Sequence, residues 1–386
     1  MYYRYLNEFN RYTERLSYVS TLGERVCETG LYYPVHDFQG GLKADATAKV
    51  FDTLGRTLED IIVDFDIVDD DVIQDAEVTD GCLRIGRAVY RHIIIPEGAF
   101  IPQETQKVLN LFIKGGGKVS YNLSDVTPVI QVEGTGLRAM HRKTENAELF
   151  CLFRENGEKG GYRIHLPSSK GYLLDLKNGK LQHLQTENGV LQISLAIGET
   201  AVILLTDATL SAENIKDFGK RFDVPNGFLF RKELELTCNE NGFEIIKHSD
   251  KAVPVSLGDW ANLIGSAYSG SGVYETTFIL PAEKKGKEGE IDLGEVHFTA
   301  QVYLNDQPLG TAFMPPYRLK IPAGVLDKNN KLKVIVTNTS ANLYVHTDYF
   351  DKWKTEELSP YFEGETDFAK DMVSGGLYGP VTLYTE

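Results

Sequence analysis

The hydrophobic rhythm of the chain changes once, near residue 124, and that change limits what the chain can fold into. Between residues 27 and 123, strand-like and helix-like runs alternate. Residues 28–35 (ETGLYYPV) read as a strand, 44–63 as a helix with Val50, Phe51, Leu54, Leu58 and Ile61 inward, and 65–68 as a short strand running into Asp69-Asp70-Asp71. Residues 88–96 (AVYRHIIIP) are an almost unbroken apolar run, the pattern of a strand covered on both faces. A helix over 102–114, stopped by Gly115-Gly116-Gly117, and a strand over 118–123 complete the series. The βαβ order predicts a small doubly wound α/β domain over 27–124.

Beyond it the pattern is strands only. Runs at 137–141, 147–153, 162–166, 171–176, 191–195 and 200–205 are separated by turn residues such as Asn156-Gly157 and Asn178-Gly179, which predicts a β-sandwich over 125–206. Residues 207–225 read as a helical crossing segment within a linker over 207–227, and 228–386 as a second all-β region. Within it, 272–280 and 291–304 carry aromatic and β-branched residues, and Asn305-Asp306 marks a turn. Ahead of everything, Leu6, Phe9, Tyr12, Leu16, Val19, Leu22 and Val26 recur at helical spacing, so 1–26 is expected to be an amphipathic helix. The fold class is thus α/β plus all-β.

A chain of 386 residues suggests two or three domains. Its formal net charge of −15 disfavours nucleic acid and anionic membranes as partners and suits a neutral partner such as a carbohydrate. The four cysteines, at 27, 82, 151 and 238, form no C-x-x-C pair and read as small buried side chains, with neither a disulfide frame nor a metal site. No apolar run approaches the ~18 residues of a membrane span, and no signal-peptide pattern precedes the first helix. Residue 1 falls directly inside a helical pattern, which suggests a fragment lacking an upstream domain; a complete chain would be expected in the cytoplasm.

Three constellations invite chemistry. In open α/β sheets ligands sit beyond the carboxyl ends of the strands, which brings forward His36-Asp37 and Asp69–Asp71; the plainer reading is helix capping and loop solvation. Gly40-Gly41 lacks dinucleotide-binding spacing, and no G-x-C-x-G or G-x-S-x-G elbow is present. His141-Arg142, ending a strand, could bind a sugar or a carboxylate, or serve as a positioned charge between domains. The run 342–353 (NLYVHTDYFDKW) holds Tyr344, His346, Asp348, Tyr349 and Trp353, which together offer rings for sugar C–H faces and polar groups for hydroxyls. A loop folded over the sandwich would use the same aromatics as core. Asp348 and Asp351 offer oxygens for a structural calcium, but match no calcium-loop spacing, and no other cofactor is indicated. Glycoside hydrolysis needs two carboxylates across the scissile bond, and among 55 acidic residues spacing alone selects no pair.

The ordered motifs FNRYTERLSYVSTLGERV, LYYPV, VDFDIVDDDVI, VYRHIIIPEGAFIP, GGGKV, LRAMHRKTENAELF, GYLLDLKNGKL, YSGSGVYETTF, VYLNDQPLG and SGGLYGPVTLY resemble the C-terminal part of α-L-rhamnosidase-like glycoside hydrolases of family 106. The stretch 268–310 also resembles the sugar-binding jelly roll of family 2 enzymes. The resemblance implies a catalytic (β/α)₈ barrel lying upstream, an amidotransferase-like α/β domain without a catalytic role, a β-sandwich, and a galactose-binding-like jelly roll over 228–386. It implies an accessory, carbohydrate-binding region whose partners are a glycan and a catalytic barrel domain or subunit. A complete glycosidase with an unidentified carboxylate pair and a stand-alone glycan-binding protein are the alternatives.

Overall fold

Four short strands pair in parallel in the first half of the chain: β1 (Thr29–Tyr32), β2 (Phe65–Val68), β3 (His92–Ile94) and β4 (Lys118–Ser120), in the order β2-β1-β3-β4. The computed structural model describes residues 2–40, 44–128, 130–158, 160–216, 218–239, 242–346 and 373–386. It divides into two compact units, Tyr12–Ile215 and Met1–Arg11 with Lys216–Glu386. Most of the regular structure is strand.

In the 12–215 unit, alternate side chains of the parallel strands leave for opposite faces, as a pleated strand requires. Leu31 and Ile94 meet Leu54 and Leu58 of the helix Ala44–Asp60, while Tyr32, Val68, Ile93 and Ile95 meet Leu109 and Phe112 of the helix Gln103–Lys114. Both faces are therefore covered, which explains the unbroken apolar run expected over 88–96. That run is not one strand. Ala88–Tyr90 closes a three-stranded antiparallel sheet with Cys82–Ile85 and Glu77–Thr79, and His92–Ile94 enters the parallel sheet. The switch occurs at Arg91, where the backbone N–H groups of Arg91 and His92 both reach the Glu28 carbonyl, at 2.8 and 3.1 Å.

The same unit carries a sandwich. A six-stranded sheet orders Glu24–Arg25, Leu137–Lys143, Glu148–Arg154, Thr200–Leu205, Gly171–Asp175 and Lys180–His183; a four-stranded sheet orders Thr186–Glu187, Val190–Ser194, Gly161–His165 and Gln131–Glu133. Phe150, Leu152 and Ile203 of the first pack with Tyr162, Ile164 and Leu191 of the second. The 207–225 segment departs from the expected helical crossing. Among its described residues Glu213 bridges to Gln182, and Lys220–Asp223 is a strand whose partner Thr382–Thr385 lies far along the chain, so local periodicity carries no trace of it.

The N-terminal helix is shorter than expected. A 3₁₀ turn over Tyr2–Tyr5 leads into a helix over Leu6–Thr21, and Gly23, at φ 57°, turns the chain into the strand Glu24–Arg25. Of the residues read as its inward stripe, Tyr12 and Val19 are buried but Leu6 is exposed.

Among the described residues of the 216–386 unit the regular structure is mainly strand. Its larger sheet orders Gly242–Lys247, Phe228–Asn239, Gly270–Ile279, Asn329–Thr337, Thr299–Leu304 and Gln307–Ala312, with Val253–Val255 also on Phe228–Asn239. The smaller sheet orders Lys220–Asp223, Thr382–Thr385, Gly289–Asp292 and Arg318–Ile321. Phe230, Trp260, Tyr274, Val302 and Val334 share one core with Ile291 and Leu383. The strand expected over 291–304 is broken into Gly289–Asp292, Glu295–His297 and Thr299–Leu304, and these belong to three different sheets. Asn305 and Asp306 both take positive φ, 52° and 62°, which gives the hairpin turn a twist matching that of its strands.

Candidate functional site

At the carboxyl ends of β1 and β2, beside the point between β1 and β3 where the strand order reverses, the acidic residues are occupied by the fold. Asp69 caps the short helix Asp70–Asp75, its Oδ1 accepting from the Val72 N–H at 3.0 Å. Asp70 is buried, and its Oδ1 accepts from the Tyr32 hydroxyl at 2.8 Å and the Thr105 hydroxyl at 2.6 Å. Burial, then the Asp70 carboxylate, push the Tyr32 phenol pKa well up. The Asp37 carboxylate accepts from the Phe100 N–H at 2.8 Å. His36 Nε2 stands 3.5 Å from Asp70 Oδ2. These groups tie together the loops that would form a ligand crevice.

His141 and Arg142 are neighbours on the strand Leu137–Lys143 and therefore leave by opposite faces. Arg142 is committed to the backbone: Nε donates to the Leu22 carbonyl at 2.6 Å and Nη2 to the Gly23 carbonyl at 2.9 Å, just past the first helix. His141 is buried, stacked on Phe150 with 4.3 Å between ring centres, and lines a cavity of about 220 Å³. Glu148 Oε2 lies 3.4 Å from its Nε2 but off the line of a hydrogen bond, so neither ring nitrogen has a hydrogen-bond partner. Burial outweighs the Glu148 carboxylate and holds the His141 pKa below its ordinary value.

Of the run 342–353, Asp348, Tyr349, Asp351 and Trp353 lie outside the described residues, and with them the two oxygens considered for calcium. Asn342 is buried in the helix Ala341–Val345 and donates to the Ser266 carbonyl at 3.0 Å. Tyr344 meets the edge of Phe243 at 5.8 Å between ring centres, and His346 is exposed where the helix ends. Among the described residues no cluster of histidine, cysteine or acidic side chains could hold a metal ion, and no helix is long and apolar enough to cross a membrane.

Sequence reasoning missed a cluster in the 216–386 unit. The strand Glu295–His297 pairs with Gly376–Gly379 and brings His297 beside Tyr378, 4.6 Å between ring centres. His297 Nδ1 bonds to the Ser374 hydroxyl and its Nε2 lies 3.0 Å from Glu295 Oε1. The Tyr378 pKa is pushed up to about 12, first by burial and then by the Asp259 carboxylate. A phenol, an imidazole and carboxylates along one rim suit hydroxyl groups and an apolar sugar face. The contributing stretches, EVHF and SGGLYGP, both fall in stretches that carry the family resemblance, but they lie far apart in sequence and neither shows a ligand-binding spacing.

No family model matches the chain. It is 39% identical over 305 residues, 69% of its length, to a protein named "Putative beta-glucuronidase" from Formosa agariphila, of which it covers 24%. A rhamnosidase from Novosphingobium sp. PP1Y has the same fold over 98% of the chain, with a TM-score of 0.63 at 17% identity, and the chain covers 41% of it. The beta-glucuronidase of Bifidobacterium dentium matches 43% of the chain with a TM-score of 0.29 and 20% identity. The chain thus spans less than half the length of each of these three proteins, and it is a glycoside hydrolase-related region.

Proposed function

We propose that this chain is an accessory, carbohydrate-binding region of a glycoside hydrolase of the α-L-rhamnosidase-like family 106 type, supporting a catalytic barrel domain or subunit. The observation that carries this reading is the rhamnosidase likeness: it runs through nearly the whole chain yet accounts for only 41% of that enzyme. The chemistry of the described residues supports it. Asp70 is the only buried carboxylate among them, and it is held by two hydroxyls of its own fold, away from the role of a glycosidase acid. On this reading the 228–386 region is a galactose-binding-like jelly roll. It contacts sugar through the rim of Glu295, His297 and Tyr378 together with Tyr344, His346, Asp348, Tyr349 and Trp353.

The test pairs two assays on the purified chain. Aryl α-L-rhamnosides and aryl β-D-glucuronides are expected to show no turnover above buffer, and a glycan array is expected to show binding that Tyr378→Ala removes without loss of folding. Turnover abolished by a single Asp or Glu substitution in this chain overturns the accessory reading. An empty array overturns the carbohydrate-binding part.

A further inference from the structure

The cavity that His141 lines lies wholly within the 12–215 unit, at the amino ends of the parallel strands and so opposite the crevice where open α/β sheets usually hold ligands. One wall is the start of β1 and β3, with Thr29 and His92; the other is the sandwich sheet, with His141 and Phe150. Glu28 and Arg91 pair at 3.2 Å and their side chains are more than half exposed, which makes them the rim; Thr29 and His141 are buried and form the floor.

Three observations bear on what belongs there. His141 is more than nine-tenths buried; neither ring nitrogen makes a well-aligned hydrogen bond, Nε2 meeting only Glu148 Oε2 at 3.4 Å, and buried polar atoms are nearly always satisfied. Its lowered pKa leaves a neutral ring, which offers one donor and one acceptor. A hydroxyl group can answer either of them. The charges around the cavity are already balanced, since Arg91 pairs with Glu28 and Arg25 holds Asp64, so an ion finds no uncompensated opposite charge. Ile62, also in the lining, sits at φ 61°, a conformation that β-branched residues rarely take and that tends to mark functional sites.

The size sets the scale. About 220 Å³ is below the range of drug-sized pockets and admits one ring, with no room for an oligosaccharide. Between the polar groups the lining is apolar, with Val63 and Ile130, and this matches the mixed faces of a pyranose. We propose that this cavity binds a single neutral monosaccharide ring, whose hydroxyl groups satisfy both nitrogens of His141. The site is separate from the sugar rim assigned to the 216–386 unit and stands or falls independently of it.

The test titrates the whole chain with D-galactose, D-glucose and L-rhamnose, and with D-glucuronate as the anionic control. The readouts are calorimetry and the nitrogen chemical shifts of the His141 imidazole. Saturable millimolar binding of at least one neutral sugar is expected, with both ring-nitrogen shifts moving. His141→Phe, which keeps the stack on Phe150, should weaken it by about tenfold or more, as should Ala139→Leu, which fills the cavity from two residues before His141 on the same strand face. The sugar-induced shifts of the His141 ring nitrogens should persist in Tyr378→Ala, whatever that variant does to binding at the rim. Absence of saturable binding by all three neutral sugars overturns the proposal, as does tighter binding of glucuronate. Binding that survives both cavity variants but disappears in Tyr378→Ala also overturns it, while leaving the sugar rim of the 216–386 unit in place.

Discussion

The hydroxyl of Tyr32, at the end of β1, donates a 2.8 Å hydrogen bond to the same Asp70 oxygen that receives the Thr105 hydroxyl, so one buried carboxylate joins a strand to two helices. Asp70→Ala removes the acceptor of two buried hydroxyls at once, leaving Tyr32 the longer bond to the Phe100 carbonyl at 3.4 Å and Thr105 the Gln74 amide as donor, and is expected to cost about 1–3 kcal/mol. Asp70→Asn, which retains an oxygen acceptor, should cost clearly less. Urea unfolding with an unchanged slope measures both. Equal losses in the two variants would show that the acceptor oxygen is not what matters.

The environment of His141 makes stability depend on pH in a predictable direction. Burial lowers its folded pKa below that of the unfolded chain, so the unfolded state binds the proton first. The contribution is intact above the unfolded pKa of about 6.5, and stability falls as pH drops below that value, by at most about 1.4 kcal/mol per pH unit for this residue. His92, also lowered by burial, acts in the same sense. His141→Phe should be more stable than the parent at neutral pH, by about 1–3 kcal/mol from the removal of unsatisfied nitrogens, and should lose less between pH 7 and 5.5. Parallel pH profiles for parent and variant would refute this.

In the 216–386 unit the Trp260 indole N–H donates to the Tyr274 hydroxyl at 2.7 Å, and both side chains are fully buried. The same hydroxyl accepts from the Leu377 N–H at 3.3 Å. Tyr274→Phe removes an acceptor while leaving the packing almost unchanged, with an expected loss of about 1–3 kcal/mol. Thermal unfolding followed by tryptophan fluorescence measures it, with Trp353→Phe as the background that leaves Trp260 as the probe.

Arg142 caps carbonyls beyond the first helix, so Arg142→Ala is expected to cost about 1 kcal/mol and to leave sugar affinity untouched. A loss of affinity without a loss of stability would return Arg142 to the list of ligand groups.

Legibility followed range. The strand over 65–68 and the turn at Asn305-Asp306 were readable because two to four adjacent residues decide them. The break at Arg91 was invisible, since it depends on the Glu28 carbonyl in another strand, and the strand Lys220–Asp223 on a partner near residue 383. In the same way His141 could be singled out as a strand histidine, but its missing partners are a property of what surrounds it. The rim at His297 and Tyr378 needed two stretches to be brought together by pairing, and neither contains a pattern that announces it.

The pairing of Asp223 with Thr382 joins residues 159 apart, and it sets an order of events during synthesis. Residues 12–215 form a contiguous unit able to close as it leaves the ribosome. The later unit must wait, because Leu383, in an inner strand of its smaller sheet, is made long after the strand Lys220–Asp223 that it pairs with. Until then the inner faces of its strands remain uncovered. This β-rich stretch is therefore where a chaperone has most to shield and where loss of the strand Thr382–Thr385 would leave apolar faces open to aggregation.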